Sequence, residues 1–496
     1  MATKRILFGE WRPDLPDNEG SPTANLDMAY NVYSSSTGYA PFPKASKISG
    51  DTPNEEDING AYLGKDQAEV IIFAGTDSAI YRADDVLSST VDGLASGTMV
   101  DISRTDGYTS PEVNWKFEQF GRAVLATNGS SKIQRYLISD GAPSFSDIAQ
   151  APICKTMAIV RDFVVAGYCD DDFNKVQWSD LNNENVWDST DINQADFQIL
   201  PSGGAVQAVT GGEFGIVLQE KAVQRMSYIG TPFVFQFDLI SDNTGCLAGS
   251  SAISHNGMTY WLSESGFMAC DGSVVTPIGE GKINDWFLTQ IDRTNLQDIS
   301  VDIDSLKSLI VWNFPSSHDT RGLIMYNFTT GRWTAGSTDA QVVASLATQG
   351  TTLDGLDPEY PILDDMPITL DSPLFIGGQY AFCGAQGRHL VAFNLIPDNC
   401  TLTTNDLEFG MFSVATLVQP IIENGSAVFQ VASRQTLNGT LTINSNLIVL
   451  GDSTQLNTIV YTTERLEVVN TDDTSTALLV QQKSNDRDIF VASNVD

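Results

Sequence analysis

The side chains best suited to catalysis are few and scattered in this 496-residue sequence. The three histidines, His255, His318 and His389, are too far apart in the chain to form an HExxH zinc motif. Neither a GxSxG nucleophile elbow nor a phosphate-binding P-loop occurs. The sequence therefore predicts no catalytic residue, no metal site and no cofactor.

Carboxylates are the one abundant group that can bind metal ions or act in acid–base catalysis. The run Asp170-Asp171-Asp172 offers oxygen ligands for calcium, but it lacks the alternating acidic positions and the glycine of a calcium-binding loop. We interpret it as the solvated tip of a hairpin. A carboxylate pair for glycoside hydrolysis stays open, because among 62 acidic residues any two can lie the roughly 5–9 Å apart that this reaction needs.

The charge of the chain excludes one large class of function. There are 27 Lys and Arg residues against 62 Asp and Glu residues, and the formal net charge is -35. Wrapping nucleic acid by phosphate neutralisation requires clustered cations, so we exclude it. The longest apolar run, Val70–Ala74, is far shorter than the about 20 residues of a membrane helix, and the N-terminus resembles no signal peptide. We predict neither a membrane span nor export.

Cysteine usage gives no sign of a disulfide framework or a zinc site, because no CxxC pair occurs. We interpret all six cysteines as buried, reduced thiols. They are Cys154, Cys169, Cys246, Cys270, Cys383 and Cys400.

The recurring element of the sequence is a hairpin, made of two β-branched or aromatic runs joined by a polar turn. Val70–Gly75 and Ala79–Arg82 form the first. Further turns lie near residues 129, 172, 221, 264, 316 and 385, about 40–50 residues apart except for the last interval, which holds the insertion Gly350–Pro358. This spacing predicts an all-β fold, a β-propeller of about six to eight blades with an N-terminal arm and a C-terminal β-rich domain.

One short helix is predicted from Asn284 onward. Ile283, Trp286, Phe287 and Ile291 recur at helical spacing, and Asn284 is a suitable cap for the first turn.

Four regions follow along the chain: an extended N-terminal arm over 1–60, the propeller over 61–400, strands that close or flank it over 401–434, and a fibre-like β-rich segment over 435–496. The arm is proline-rich and has too little apolar material to bury a tryptophan. We therefore predict that Trp11, Arg12 and Pro13 contact another protein chain.

The segment 435–496 consists of short alternating strands with polar turns. Such strands pair readily with another chain, so Leu447, Val449, Leu456 and Val460 are predicted to lie in an interface. A fibre-docking segment and a plain C-terminal β-sandwich fit this pattern equally well.

Six stretches of the sequence resemble one known family. They are Phe8–Pro16, Ala29–Tyr33 with Gly38–Phe42, Ile216–Met226, Phe235–Phe237, Asn256–Phe267 and Tyr326–Trp333. In this order they resemble the tail nozzle proteins, also called packaged-DNA stabilisation proteins, of short-tailed bacteriophages. The likeness spans about residues 8–434, and its motifs belong to the scaffold. The chain after Arg434 departs from the family pattern and looks like the β-rich repeats of phage fibres and spikes.

The resemblance implies a structural protein of the virion tail, assembled in the host cytoplasm and without enzymatic activity. It implies a ring, six copies by family expectation, that lies below the head-to-tail adaptor, retains the packaged DNA and later serves as the conduit for its ejection. The implied partners are the adaptor, tail fibre, spike or needle proteins, and genomic DNA that passes without sequence-specific binding. Two alternatives remain: a propeller glycan hydrolase and a receptor-binding adhesin of the tail.

Overall fold

The computed structural model describes residues 8–15, 24–66, 69–84, 97–138, 143–317, 320–347, 380–397 and 399–404, and their regular secondary structure is almost entirely β-strand. The N-terminal strands are β1 (Phe8–Trp11), β2 (Ala24–Tyr30), β3 (Val32–Ser34), β4 (Tyr39–Pro41) and β5 (Lys44–Lys47). The segment 435–496, with Leu447, Val449, Leu456 and Val460, lies outside the described residues.

The rest of the described chain forms consecutive antiparallel sheets, named here blades 1 to 7. Blade 1 holds β6 (Gly60–Asp66), β7 (Glu69–Gly75), β8 (Ile80–Asp84) and β9 (Thr98–Asp101); blade 2 holds β10 (Lys116–Phe120), β11 (Ala123–Thr127), β12 (Gln134–Leu137) and β13 (Ser146–Asp147). Blade 3 holds β14 (Cys154–Val160), β15 (Phe163–Cys169), β16 (Asp172–Trp178) and β17 (Asp196–Ile199); blade 4 holds β18 (Val206–Thr210), β19 (Gly215–Gln219), β20 (Val223–Gly230) and β21 (Val234–Ser241).

Blade 5 holds β22 (Ile253–His255), β23 (Met258–Ser263), β24 (Gly266–Cys270) and β25 (Val275–Pro277); blade 6 holds β26 (Ser300–Asp304), β27 (Leu309–Phe314), β28 (Arg321–Asn327) and β29 (Arg332–Thr338). Blade 7 holds β30 (Val342–Ala347), β31 (Tyr380–Gln386), β32 (His389–Leu395) and β5. The helix α1 (Asn284–Gln290) follows blade 5, and β33 (Thr401–Thr404) pairs with β2.

The sheets confirm the predicted all-β propeller. Six of them are four-stranded, and the larger sheet of blade 6 contains the same four-stranded meander, extended by β1, β2 and β33. In each of blades 1 to 6, the four strands assigned to the blade pair in chain order, as hairpin-connected strands do.

The N-terminal segment closes the propeller. Strand β5 pairs antiparallel with β32, with Ser46 opposite Ala392, and so supplies the outer strand of blade 7. Next to it, Ile48 N–H donates to Leu390 C=O at 2.9 Å. The sequence predicts an extended N-terminal arm over 1–60; in the structure, the described residues 8–11 and 24–47 largely form strands, several of which pair within the sheets of blades 6 and 7.

The hydrophobic core is divided into layers between neighbouring blades. The second strands are buried on both faces, as in β11, where every residue from Ala123 to Thr127 is buried. This explains why these strands read as continuous apolar runs in the sequence rather than as alternating ones. The largest fully buried side chains include Trp312, Trp333 and Phe267, which pack together between blades 5 and 6.

The predicted helix forms, but its cap is not the predicted one. Asn284 is the first helical residue, and its side chain accepts a hydrogen bond from Phe267 N–H and donates one to Ser265 C=O. The first turn is instead capped by Asp14, whose carboxylate accepts the N–H groups of Asp285 and Trp286 at 3.0 and 2.9 Å. A cap supplied from 271 residues away in sequence leaves no local pattern to recognise.

The cysteine interpretation is confirmed for five of the six thiols, which are free and buried. It is wrong for Cys400, which is free but exposed. Cys400 lies in the short segment before β33, at the outer end of the blade 6 sheet, where no further strand covers it among the described residues.

Candidate functional site

The first strands of the blades surround the axis of the propeller. β6 contacts β10, β10 contacts β14 and β14 contacts β18, while β26 contacts β30 and β30 contacts β6. The short turn Gly249–Ser251 bridges the remaining gap, since it touches both β18 and β26. Polar side chains on these strands are therefore the candidates for a functional site, because the blades of a propeller surround a central channel and ligands commonly bind in concave places.

Two charged side chains of opposite sign lie next to each other on β10. Lys116 and Glu118 are two residues apart in the strand and so lie on the same face, while Trp115 and Phe117 are buried on the other. The Nζ of Lys116 donates to the carbonyl of Gly249 at 3.3 Å and thereby links blade 2 to the turn before blade 5.

The enclosed position of this pair shifts both pKa values. Burial raises the pKa of Glu118 to about 7, although the positive charge of Lys116 opposes the shift. Burial also lowers the pKa of Lys116, and the negative charge of Glu118 opposes that change. Glu118 can therefore gain or lose a proton close to neutral pH, which is the property required of a general acid or base.

A second carboxylate, Asp302, lies on β26 in blade 6. Its Oδ2 accepts the N–H of Ser345 and its Oδ1 accepts the N–H of Ile303, both at 2.6 Å. Burial nevertheless raises the pKa of Asp302 above its usual range. Tyr62 of β6 responds to both carboxylates: burial raises its pKa, and the charges of Glu118 and Asp302 raise it further. Tyr62, Lys116, Glu118 and Asp302 are called the axial cluster below.

The axial cluster was missed in the sequence. The stretch Trp115 to Phe120 alternates aromatic and polar residues, which indicates a strand with one polar face. Nothing local reveals that this face lies at the axis, because that depends on how distant blades close the ring.

Two of the predicted interface residues, Trp11 and Arg12, contact their own chain. Trp11 is only 3% exposed; its Nε1 donates to Asp27 C=O, and its ring packs edge-on against Trp286 with centroids 4.9 Å apart. The premise that Trp11 lacks apolar surroundings is therefore wrong, because blade 6 and α1 supply them. Arg12 donates to Gly281 C=O at 3.2 Å and Pro13 is half-buried; their contact with another chain stays a prediction.

The neighbouring contacts fix this N-terminal stretch further. Glu10 forms an ion pair with Lys282 at 2.6 Å, and Lys282 also donates to Gly331 C=O at 3.1 Å. The stretch 8–15 is thus a structural part of the region around α1.

The acidic tip 170–172 has no metal-binding geometry. Asp170 pairs with Lys175 at 3.2 Å and accepts the N–H of Ile153. Across the part of the chain that the structure describes, no three or more His, Cys, Asp or Glu side chains converge as metal ligands. Within the same part, no helix has the length and hydrophobicity required to span a bilayer.

Comparisons with known proteins identify no family. No family model matches the chain, and no curated protein matches it. Among solved structures it is similar to the computationally designed Ika8 protein, at 10% identity over 71% of this chain and 100% of that one, with a TM-score of 0.38. It is also similar to the Pan2 WD40 domain of Neurospora crassa, at 7% identity over 75% and 98%, with a TM-score of 0.39. The fold assignment rests on the sheet topology itself.

Proposed function

We propose that this protein is a structural component of a short-tailed bacteriophage tail, a nozzle subunit that assembles into a ring. The proposal starts from the sequence motifs that resemble the nozzle family. Its support from the structure is that four of these motifs, hundreds of residues apart, meet in one hydrophobic cluster.

The contacts within that cluster are direct. Phe267 packs on Trp333 with ring centroids 4.9 Å apart, and Trp333 packs on Tyr326 at 4.6 Å. From the N-terminal motifs, Trp11 is part of the same cluster, and the hydroxyl of Tyr39 donates to Gly9 C=O at 2.7 Å. These motifs resemble those of the nozzle family as a set, and they also pack against one another. This combination favours a common scaffold over a chance likeness.

The charge of the chain suits a conduit for DNA. Six copies of a chain with net charge -35 carry about -210 formal charges, and acidic walls repel the phosphates of a passing duplex. Simple solubility needs far less charge than this. In this proposal, acidic side chains outnumber basic ones on the wall of the ring.

The ring is tested by native mass spectrometry and electron microscopy of the purified chain, alone and with the adaptor. We expect a closed ring of about six times the 53.7 kDa subunit mass. In a gel shift at physiological salt, the same material is expected to leave free duplex DNA unretained. A monomer that stays monomeric with the adaptor, or submicromolar duplex binding with a steep salt dependence, contradicts the proposal.

The proposal assigns fibre docking to residues 435–496. A chain truncated after Arg434 is expected to form the same ring but to recruit no fibre or spike protein. If the truncated chain loses a large part of its thermal stability, the segment belongs to the main fold instead.

The axial cluster favours one second candidate, a propeller glycan hydrolase. A glutamate with a pKa of about 7 suits the general acid of glycoside hydrolysis, and Asp302 offers the second carboxylate. Release of sugars from host surface polysaccharide by the wild-type chain, abolished in Glu118→Gln and Asp302→Asn, supports the hydrolase. No release, together with ring formation, supports the nozzle.

A further inference from the structure

Two cysteines face each other across a strand pair in blade 3. Cys154 begins β14, Cys169 ends β15, and the two are direct partners in the antiparallel register. The next pair outward is hydrogen-bonded, since Asp170 N–H donates to Ile153 C=O at 2.8 Å. Cys154 and Cys169 therefore occupy a non-hydrogen-bonded position, where Cα atoms are about 4.5 Å apart and within the range that a disulfide bridges.

The two thiols also share their surroundings. Both side chains belong to the cluster between blades 2 and 3, with exposed fractions of 1% and 0%, and both are free. Burial raises the pKa of Cys154 to about 12 and raises that of Cys169, to which the nearby Cys154 contributes. Both thiols are thus protonated in the closed structure, and oxidation has to proceed through local opening.

The position of the pair permits such opening. It lies at the end of the β14–β15 ladder that is remote from the turn at residues 161–162, where only the hydrogen bond of Asp170 to Ile153 follows it. On its other side, Cys169 pairs with Asp172 across the turn between β15 and β16. Beside it, Tyr168, Asp170 and Asp171 all have positive φ, at 55°, 52° and 63°. Asp tolerates this region in turns, whereas it is unfavourable for the bulky Tyr168, so fraying at Tyr168 also releases strain.

We propose that Cys154 and Cys169 are an oxidative modification site that forms a reversible cross-strand disulfide. With a disulfide oxidant such as oxidised glutathione, one cysteine thiolate attacks the glutathione S–S bond and releases one glutathione thiolate. The second cysteine then attacks the mixed disulfide and releases the other. Overall, the protein loses two protons and two electrons, and the oxidant is reduced to two thiols.

The proposal is tested on the folded, full-length chain by incubation with oxidised glutathione, alkylation of the remaining thiols and peptide mapping. We expect a cross-linked peptide pair that contains Cys154 and Cys169, and its disappearance on reduction. The exposed Cys400 is expected to carry a single glutathione, which shows in the same sample that the oxidant was active. Closing this short loop is expected to raise the melting temperature by roughly 3 °C.

Serine variants separate this pair from general thiol reactivity. Cys154→Ser and Cys169→Ser each abolish the cross-link and the gain in melting temperature, whereas Cys246→Ser retains both. Cys246 and Cys270 share one cluster between blades 4 and 5, but they are not register partners. A sample in which Cys400 is glutathionylated while Cys154 and Cys169 stay reduced overturns the proposal. Equal cross-linking of Cys246 to Cys270 overturns it as well, because strand register then plays no part.

Discussion

Gly266 is a residue at which the backbone and the packing both demand glycine. Its φ is +113°, and a Cβ there would overlap the side-chain amide of Asn284. We expect Gly266→Ala to lower the free energy of unfolding by more than about 2 kcal/mol, because the conformational cost adds to the displacement of a buried hydrogen-bonded amide. Denaturant unfolding measures this loss.

Gly257 provides the matched control. It also has positive φ, at +79°, but no atom lies within 4 Å of the Cβ position. Gly257→Ala is therefore expected to cost only the backbone term of about 1 kcal/mol. Equal losses in the two variants would show that the contact with Asn284 contributes nothing.

Glu118 makes the stability of the protein depend on pH. Because its pKa is raised from 4.5 to about 7 in the folded chain, its contribution is fully present below pH 4.5 and is lost as the pH rises through 7. Glu118→Gln is expected to reduce the difference in unfolding free energy between pH 5 and pH 8, by at most about 3 kcal/mol. Denaturant unfolding at both pH values measures it.

An exposed glutamate supplies the comparison for this experiment. Glu213 has a side chain that is 82% exposed, so Glu213→Gln is expected to leave the difference between pH 5 and pH 8 as in the wild type. If Glu118→Gln behaves like Glu213→Gln, the carboxyl of Glu118 is not desolvated at the axis.

Helix α1 depends on a residue that is distant in the chain. Asp14 accepts the N–H groups of Asp285 and Trp286 that would otherwise lack partners in the first turn. Asp14→Ala is expected to lower the unfolding free energy by about 1 kcal/mol, as measured by denaturant unfolding. Asp285→Ala removes an acidic side chain from the same turn but no cap, so a loss as large as that of Asp14→Ala would contradict the capping role.

The register between β5 and β32 can be tested with proline substitutions. Since Ile48 N–H points to β32, the alternation of an antiparallel ladder also turns the N–H of Ser46 inward and that of Ala45 outward. We expect Ser46→Pro to lower the unfolding free energy by about 2 kcal/mol more than Ala45→Pro does, since it removes a ladder bond. Ser46→Ala corrects for the lost hydroxyl bond to Asn394, and equal effects of the two prolines would contradict this register.

The hairpins and their regular spacing along the chain can be predicted from the sequence, because they depend on residues that are close in sequence. The apolar runs at Val70–Gly75 and Ala79–Arg82 correspond to the paired strands β7 and β8. Local sequence does not predict the cap at Asp14, the burial of Trp11 or the axial position of Glu118, because each depends on residues more than a hundred positions away. Local pattern therefore predicts the blades, while ring closure determines the site.

For the whole molecule, closure by an N-terminal strand sets the order in which the protein can fold during synthesis. Residues 44–47 leave the ribosome before their partner β32 at His389–Leu395, which follows about 350 residues later. At 5–20 residues per second this is a wait of roughly 20–70 s, during which the segment has an unpaired edge. Pro41 and Pro43, which precede it and lack an N–H, make premature pairing of that edge less favourable. The last blade is thus completed by a strand that is synthesised about 350 residues before its partner.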